Sequence, residues 1–357
     1  MKIALINLPV DNNYGGNLQR FALMKVLQDM GHDVTHLNLR FYYYIPWYKI
    51  PFSYAKNMIL KYVLGRDIKI KRELYLQQEY ENLCAITEPF YQKYVKHTEA
   101  ITDIKQFKKY LEFDAYFVGS DQVWRKKIAN KYLNCMFLDF LPNDTKAKRI
   151  AYGVSLGVAE NELSNKEIKR LSKLYSQFDA VSVREDSALE LFKQYRWNCP
   201  KAVHVLDPTM LLQKEDYINL IEDGTTQPST GNMFCYILDK TDEKSRIIRD
   251  KANELHLTPF FLKEQDNASN IEQWLRSFVD AEYVITDSYH GLVFSIIFNK
   301  PFCLIRNRFR GNARFDNLLV KTGLVNDVPN YNWERINTLI EEERNKAFNF
   351  LYNALVK

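Results

Sequence analysis

Apolar and polar positions alternate in a regular rhythm along the 357-residue chain, and the first unit appears at once. Residues 2–8 (KIALINL) form a short β-forming run. A glycine-containing loop follows, and residues 17–30 then align Leu18, Phe21, Ala22, Met24, Val26 and Leu27 on a helical face. Gly31 stops that helix, and residues 33–39 read as the next strand. The chain therefore opens as a βαβ unit. Residues 41–54 break the rhythm, because eight of these fourteen are aromatic. From there to about residue 109 the pattern is charged and helical, the mark of a helical insertion. The aromatic run is compatible with a lid, an interfacial membrane contact or a packed seam. The seam is the favoured reading, since aromatic side chains dominate core energetics.

Alternation then resumes. Residues 113–119, 148–154, 180–183 and 203–206 read as strands, with helices over 167–178 and 187–195. A polar stretch ending in GTTQPSTGN makes residues 213–232 the best linker. Beyond it, strands at 233–238, 259–262, 283–286 and 302–305 alternate with helices at 244–257, 271–279 and 290–298. Residues 331–357 read as a charged C-terminal helix, starting near Trp333. Such a pattern predicts an α/β protein with two Rossmann-like parallel-sheet domains facing across a cleft, 1–212 and 233–330.

Composition narrows the partners more than the fold. Hydrophobic residues make up 46% and charged residues 26%, ordinary for a globular chain. The net charge of +5 is a mild excess of 49 basic over 44 acidic side chains, without the concentrated stripe of a nucleic-acid binder. It suits an anionic small substrate or surface. The five cysteines are scattered and form no CxxC pair, which argues against a disulfide framework and a zinc site. The N-terminal apolar run is too short for a signal peptide, and no window approaches a membrane span. A cytoplasmic location, with any membrane association peripheral and at the inner face, is the expectation.

Candidate chemistry gathers at strand ends. The stretch TDSYHGLVFSIIFNKPF places Asp287, Ser288, Tyr289 and His290 where a strand gives way to an apolar helix. Ligands of open α/β sheets bind beyond the carboxyl ends of strands, and a helix N-terminus there favours an anion. His290 is the leading candidate, the alternative being a satisfied core histidine. Gly291 would let a ligand approach the backbone. Arg184, in VSVRE, has the same address in the first half and can grip a carboxylate or phosphate, unless it only pairs with Glu185 or Asp186. Ser120, Asp121, Gln122 and Trp124, in GSDQVW, suit a sugar, with directional polar groups beside an aromatic face. The competing reading is a capped helix with Trp124 in the core. The loop containing Asn13, Tyr14, Gly15, Gly16 and Gln19 resembles a phosphate loop only loosely. Arg306, Arg308, Arg310 and Arg314 read as a solvated face, and Asp207-Pro208 as a turn.

Five blocks carry a resemblance: NNYGGNLQRFAL, FDAYFVGSDQVW, VSVRE, VLDPTMLL and YVITDSYHGLVFSIIFNKPF. In this order the chain resembles the polysaccharide pyruvyl transferase family. The resemblance implies an architecture similar to the GT-B glycosyltransferases. It also implies transfer of the enolpyruvyl unit of phosphoenolpyruvate onto two hydroxyls of one sugar, with release of phosphate. No cofactor or metal is implied. Arg184 and His290 match the family's donor-contacting arginine and histidine, and Lys300 falls where a basic residue often sits. Donor binding is thus expected from Arg184, Ser288, His290, Gly291 and Lys300, with His290 as general acid and Asp121 as base. Acceptor binding is expected from Asn13, Tyr14, Gly15, Gly16, Gln19, Asp121, Gln122 and Trp124. The acceptor sugar, free, lipid-linked or polymeric, stays open. Two other readings remain: a nucleotide-sugar-dependent GT-B-type glycosyltransferase and a non-catalytic glycan-assembly protein.

Overall fold

A computed structural model describes the whole chain except residues 44, 263–268, 307–312, 325–330 and 357. Arg308 and Arg310 lie outside the described residues. The first half starts with β1 (Lys2–Ile6), α1 (Tyr14–Asp29) and β2 (Asp33–His36), paired in parallel with β1. The excursion beyond β2 holds α2 (Ile50–Tyr62), α3 (Arg72–Cys84) and α4 (Glu88–Tyr94). The chain re-enters the sheet at β3 (Ala115–Val118), makes the short α5 (Lys126–Ala129), and continues through β4 (Lys148–Val154) and α6 (Asn165–Tyr175). β5 (Ala180–Val183), α7 (Asp186–Gln194) and β6 (Val203–His204) complete a six-stranded sheet in the order β2-β1-β3-β4-β5-β6.

The polar linker is not unstructured, because it contains α8 (Lys214–Asp223), whose Tyr217, Leu220 and Ile221 are buried. The second half then runs β7 (Met233–Tyr236), α9 (Asp242–Leu255), β8 (Pro259–Phe260), α10 (Ile271–Asp280), β9 (Tyr283–Thr286), α11 (Tyr289–Ile297) and β10 (Phe302–Leu304). Its parallel sheet has the order β10-β9-β7-β8. Two helices follow, α12 (Ala313–Lys321) and α13 (Trp333–Val356).

Both faces of the first sheet are covered, which is why its strands read as continuous apolar runs. Ile3 and Leu5 of β1 join one core, while Ala4 and Ile6 join the core on the opposite face. The first of these cores also takes in Phe234, Trp274, Val284 and Phe294 from the second half and Ala347 and Leu351 from α13. α13 crosses back to the first half, where Arg344 donates to the carbonyls of Met210 and Leu212 and Lys148 donates to that of Leu355.

The seam expectation for residues 41–54 holds only in part. Phe41 packs edge-on against Tyr80, but Tyr42, Tyr43, Trp47, Tyr48 and Phe52 are exposed. Strand order locates the business end. In the first sheet the winding reverses between β1 and β3, and in the second between β7 and β9. The crevice of an open α/β sheet forms at such a switch point, beyond the strands' carboxyl ends.

Candidate active site

A cavity of about 380 Å³ lies where the two switch points face each other. The loop after β1 contributes Asn12, Asn13, Tyr14 and Gly15; the loop after β3 contributes Asp121 and Gln122. From the second half come Tyr236 and Leu238 after β7, and Asp287, Ser288, Tyr289 and His290 after β9. Arg314 and Phe315 of α12 close the lining.

Two helices point their N-termini into this space. Asn13 caps α1, its Oδ1 accepting from the Gly16 N–H, and Ser288 caps α11 by accepting from the Gly291 N–H. Each helix presents the positive end of its dipole to the cavity, as an anion requires. Asp287 does not face a ligand as a lone charge. Its carboxylate accepts from the backbone N–H of Leu238 and from Lys244 Nζ at 2.6 Å.

The buried charges behind the cavity form one network centred on Asp207. Its Oδ2 accepts from Gln19 Nε2 and from Arg184 NH1, both at 2.6 Å, while Thr209 satisfies Oδ1. His290 Nε2 stands 3.7 Å from the same Oδ2, longer than a hydrogen bond and an ion pair only when the ring is protonated. Among the described residues Nε2 has no hydrogen-bond partner. Burial pushes the Asp207 carboxyl up, but His290 and Arg184 outweigh it and hold it well below the ordinary carboxylate range. The second Arg184 nitrogen donates to Asp121 Oδ1 at 2.6 Å, and Arg314 NH1 lies 3.6 Å from that oxygen. Burial likewise raises Asp121, and Arg184, Arg314 and His290 reverse the effect and lower it. The two guanidiniums lie over the buried Tyr289 ring at 4.8 and 5.2 Å from its centroid.

Two glycines are required by this geometry. A Cβ on Gly15 would sit 2.0 Å from His290 Nδ1, so the first half leaves a methyl-sized gap for the imidazole of the second. Gly119 has φ +117°, and a Cβ there would meet the Tyr152 carbonyl oxygen at 2.2 Å. That glycine lets the chain turn after β3 and present Asp121.

Several expectations need correction. Arg184 is brought to the site, but as a buried strut between Asp121 and Asp207. Glu185 accepts instead from Ser155 and the N–H groups of Leu156 and Gly157, and Asp186 from His204 Nδ1 and Asn317 Nδ2. Burial works against the Arg184 charge, yet Asp121 and Asp207 overcome it and raise its pKa. Among the described residues lining the cavity, the cation is Arg314, which the sequence reading assigned to a solvated face. Trp124 is 1% exposed, donates to the Met136 carbonyl and stacks on Phe137, so it offers no face to a sugar. Lys300 lies past the far end of α11 and donates to the Val279 carbonyl. The space at Gly291 is taken by Thr286 Oγ1, which a Cβ would meet at 2.1 Å. Gln19 is buried on Asp207 rather than in the lining, and Gly16 serves the α1 cap. Asp207, read as a turn, is the residue most underestimated; its signal was the shared strand-end address of VLDP, VSVRE and ITDSYH.

Groups of three or more His, Cys, Asp or Glu able to hold a metal ion do not occur among the described residues. No curated protein matches the chain in sequence. In structure it is similar to a UDP-GlcNAc 2-epimerase from Neisseria meningitidis bound to UDP-GlcNAc, at TM-score 0.51 and 10% identity, covering 99% of this chain and 100% of that one. A UDP-N-acetylglucosamine 2-epimerase from Rickettsia bellii gives 0.50 at 8% identity, covering 99% and 95%. At such identities the likeness establishes the two-domain, GT-B-like fold alone. Residues 13–308, which carry the cavity loops, Arg184, Asp207 and His290, match the model of one family, and the chain belongs to it: the polysaccharide pyruvyl transferases.

Proposed function

We propose that the protein transfers the enolpyruvyl unit of phosphoenolpyruvate to two hydroxyls of one sugar, releasing phosphate and leaving a cyclic pyruvate ketal. The observation that carries this reading is the meeting of Arg184 from one half and His290 from the other on Asp207, behind a cavity entered by two helix N-termini and Arg314. A donor bearing both a carboxylate and a phosphate needs such a set of N–H dipoles and cations.

Within this reading His290 delivers the proton that turns the donor's methylene into a methyl group. One sugar hydroxyl bonds to the adjacent carbon and gives up its proton. The carbon–oxygen bond to phosphate then breaks, and the second hydroxyl takes the vacated position, losing its own proton. The C=C π bond gives way to a new C–H bond, two C–O bonds form and one breaks, and no oxidation state changes overall, so no redox cofactor is needed. A positioned acid or base is worth roughly 10²–10⁴-fold, and holding both hydroxyls against one carbon adds a proximity gain. The base role fits Asp121 poorly, because a carboxylate held low between guanidiniums accepts protons weakly. Burial pushes the carboxyl of Asp11, just before the 12–15 loop, upward, but Asp11 is not among the residues lining the cavity.

The test is incubation of the chain with phosphoenolpyruvate and a panel of free, nucleotide-linked and lipid-linked sugars. Phosphate release should accompany an acceptor mass gain of one pyruvic acid less one water. Turnover of a nucleotide sugar with no phosphoenolpyruvate consumed by any acceptor would defeat the reading.

A further inference from the structure

The excursion between β2 and β3 carries a helix with an exposed apolar stripe. Along α2, Phe52, Ala55, Ile59 and Tyr62 follow one another at helical spacing and form a single stripe, and every one of them is exposed. Met58 and Val63, also exposed, flank it. On the inward side Asn57 is buried, its Nδ2 donating to the Ile70 carbonyl at 2.9 Å, with Ile50, Ser53, Tyr54, Leu60 and Lys61 half-buried around it. Trp47 and Tyr48, just before the helix, extend the stripe. Trp47 is 79% exposed, Phe52 78%, Val63 73% and Tyr62 71%, values that a helix folded only for water would reserve for polar side chains.

Charge identifies the partner. Residues 41–72 contain seven Lys or Arg and a single acid, Asp67, in a chain whose overall charge is nearly balanced. Lys49, Lys61 and Lys69 lie against the rings of Tyr48, Tyr62 and Tyr75. A second copy of the chain would bring like charges together across a symmetric contact, so self-association is disfavoured. Tryptophan and tyrosine beside lysine and arginine match the headgroup zone of an anionic bilayer, where rings settle at the boundary and cations meet phosphates. No helix among the described residues is long and apolar enough to cross a membrane, so such an element would lie in the surface plane. We propose that residues 47–66 dock this protein onto an anionic lipid bilayer, with Trp47, Phe52, Ile59 and Tyr62 entering the interface.

The docking face is tied to the cavity. From α3, which follows it, Tyr80 Oη and Cys84 Sγ donate to the Val10 carbonyl. Thr87 Oγ1 then donates to the Asp11 carbonyl, at the foot of the loop that lines the site. Bilayer contact therefore sits on the scaffold that carries the cavity mouth.

The experiment is co-sedimentation of the full chain with phosphatidylcholine vesicles containing or lacking phosphatidylglycerol, at low and high salt. Wild type should pellet with the anionic vesicles, and raised salt should release it. Replacing Lys49 or Lys56 by Gln should weaken partition about fivefold each. Trp47→Ser, Phe52→Ser and Tyr62→Ser combined should weaken it at least about tenfold per ring, with an unchanged melting temperature because the rings are exposed. Equal uptake by neutral vesicles, no uptake by either, or equal pelleting of the triple variant would overturn the proposal. So would a lipid-free dimer, seen by light scattering, that the triple variant dissolves.

Discussion

α11 and α2 are both rich in apolar residues, yet they have opposite fates. α11 is buried on all sides, with Leu292, Val293, Phe294 and Ile296 fully enclosed by the core that joins the two halves. α2 buries little beyond Asn57 and turns its apolar stripe to solvent. The difference lies in what flanks each helix. α11 is inserted between β9 and the aromatic cluster of Trp274, Phe278 and Tyr217, whereas α2 leaves its apolar stripe uncovered by the described residues. Apolar content alone therefore does not decide whether a helix is buried; its neighbours do. For α11 the burial has a chemical product, because it fixes His290 at the cavity wall.

The sharpest way to break that contrast is at the end of α11. His290→Gln should lower turnover by roughly 10²–10⁴-fold while the melting temperature changes little, measured with phosphoenolpyruvate and a true acceptor. If it retained wild-type turnover, the imidazole would be a packing residue. Next in size is Gly15→Ala. The added methyl must push the ring aside, and a misplacement near 1 Å costs up to about 10²-fold in rate. Loss of rate with unchanged fold by circular dichroism is expected; unaffected kinetics would place the proton transfer elsewhere.

Stability should divide the helices equally clearly. Leu292→Ala in α11 should cost about 2–5 kcal/mol by denaturant unfolding, whereas Ile59→Ser in α2 should stay within about 0.5 kcal/mol. A large loss at position 59 would mean that α2 packs more tightly than its exposure indicates. The smallest effect concerns acid. Asp207 and Asp121 are held below the ordinary carboxylate range, so their charged forms stabilise the fold fully above a pH of about 4. That contribution drains as pH falls toward their lower folded-state values, because the unfolded chain takes up protons first. Asp207→Asn should flatten the acid limb of a stability–pH curve; an unaltered slope would mean the lowering is not real.

Much of the element sequence was legible, since β4, β5 and β9 begin and end where periodicity sets them and α13 starts at Trp333. Boundaries elsewhere shift by a few residues, as at α1, which starts at Tyr14 because Asn13 caps it. The site was readable as far as strand-end addresses go, and this singled out His290, Arg184 and Asp121. It failed where a role depends on long-range packing. Arg314 sits among arginines that share no periodic face, and only the approach of α12 to Tyr289 turns it inward. Trp124 was ambiguous because a helix cap and a sugar platform ask for the same neighbours. Asp207 looked like a turn because turns also favour Asp-Pro, and three of its partners, at positions 19, 184 and 290, are remote in sequence.

The missing side chain of Gly15 has a consequence for the working cycle. The imidazole is seated by backbone from the opposite half, so its aim is set only while the two halves are together. A movement that parted them would also unseat the ring, because the space it occupies is the one a Gly15 methyl would fill. Under the proposed reading, proton delivery would then depend on the two halves standing together.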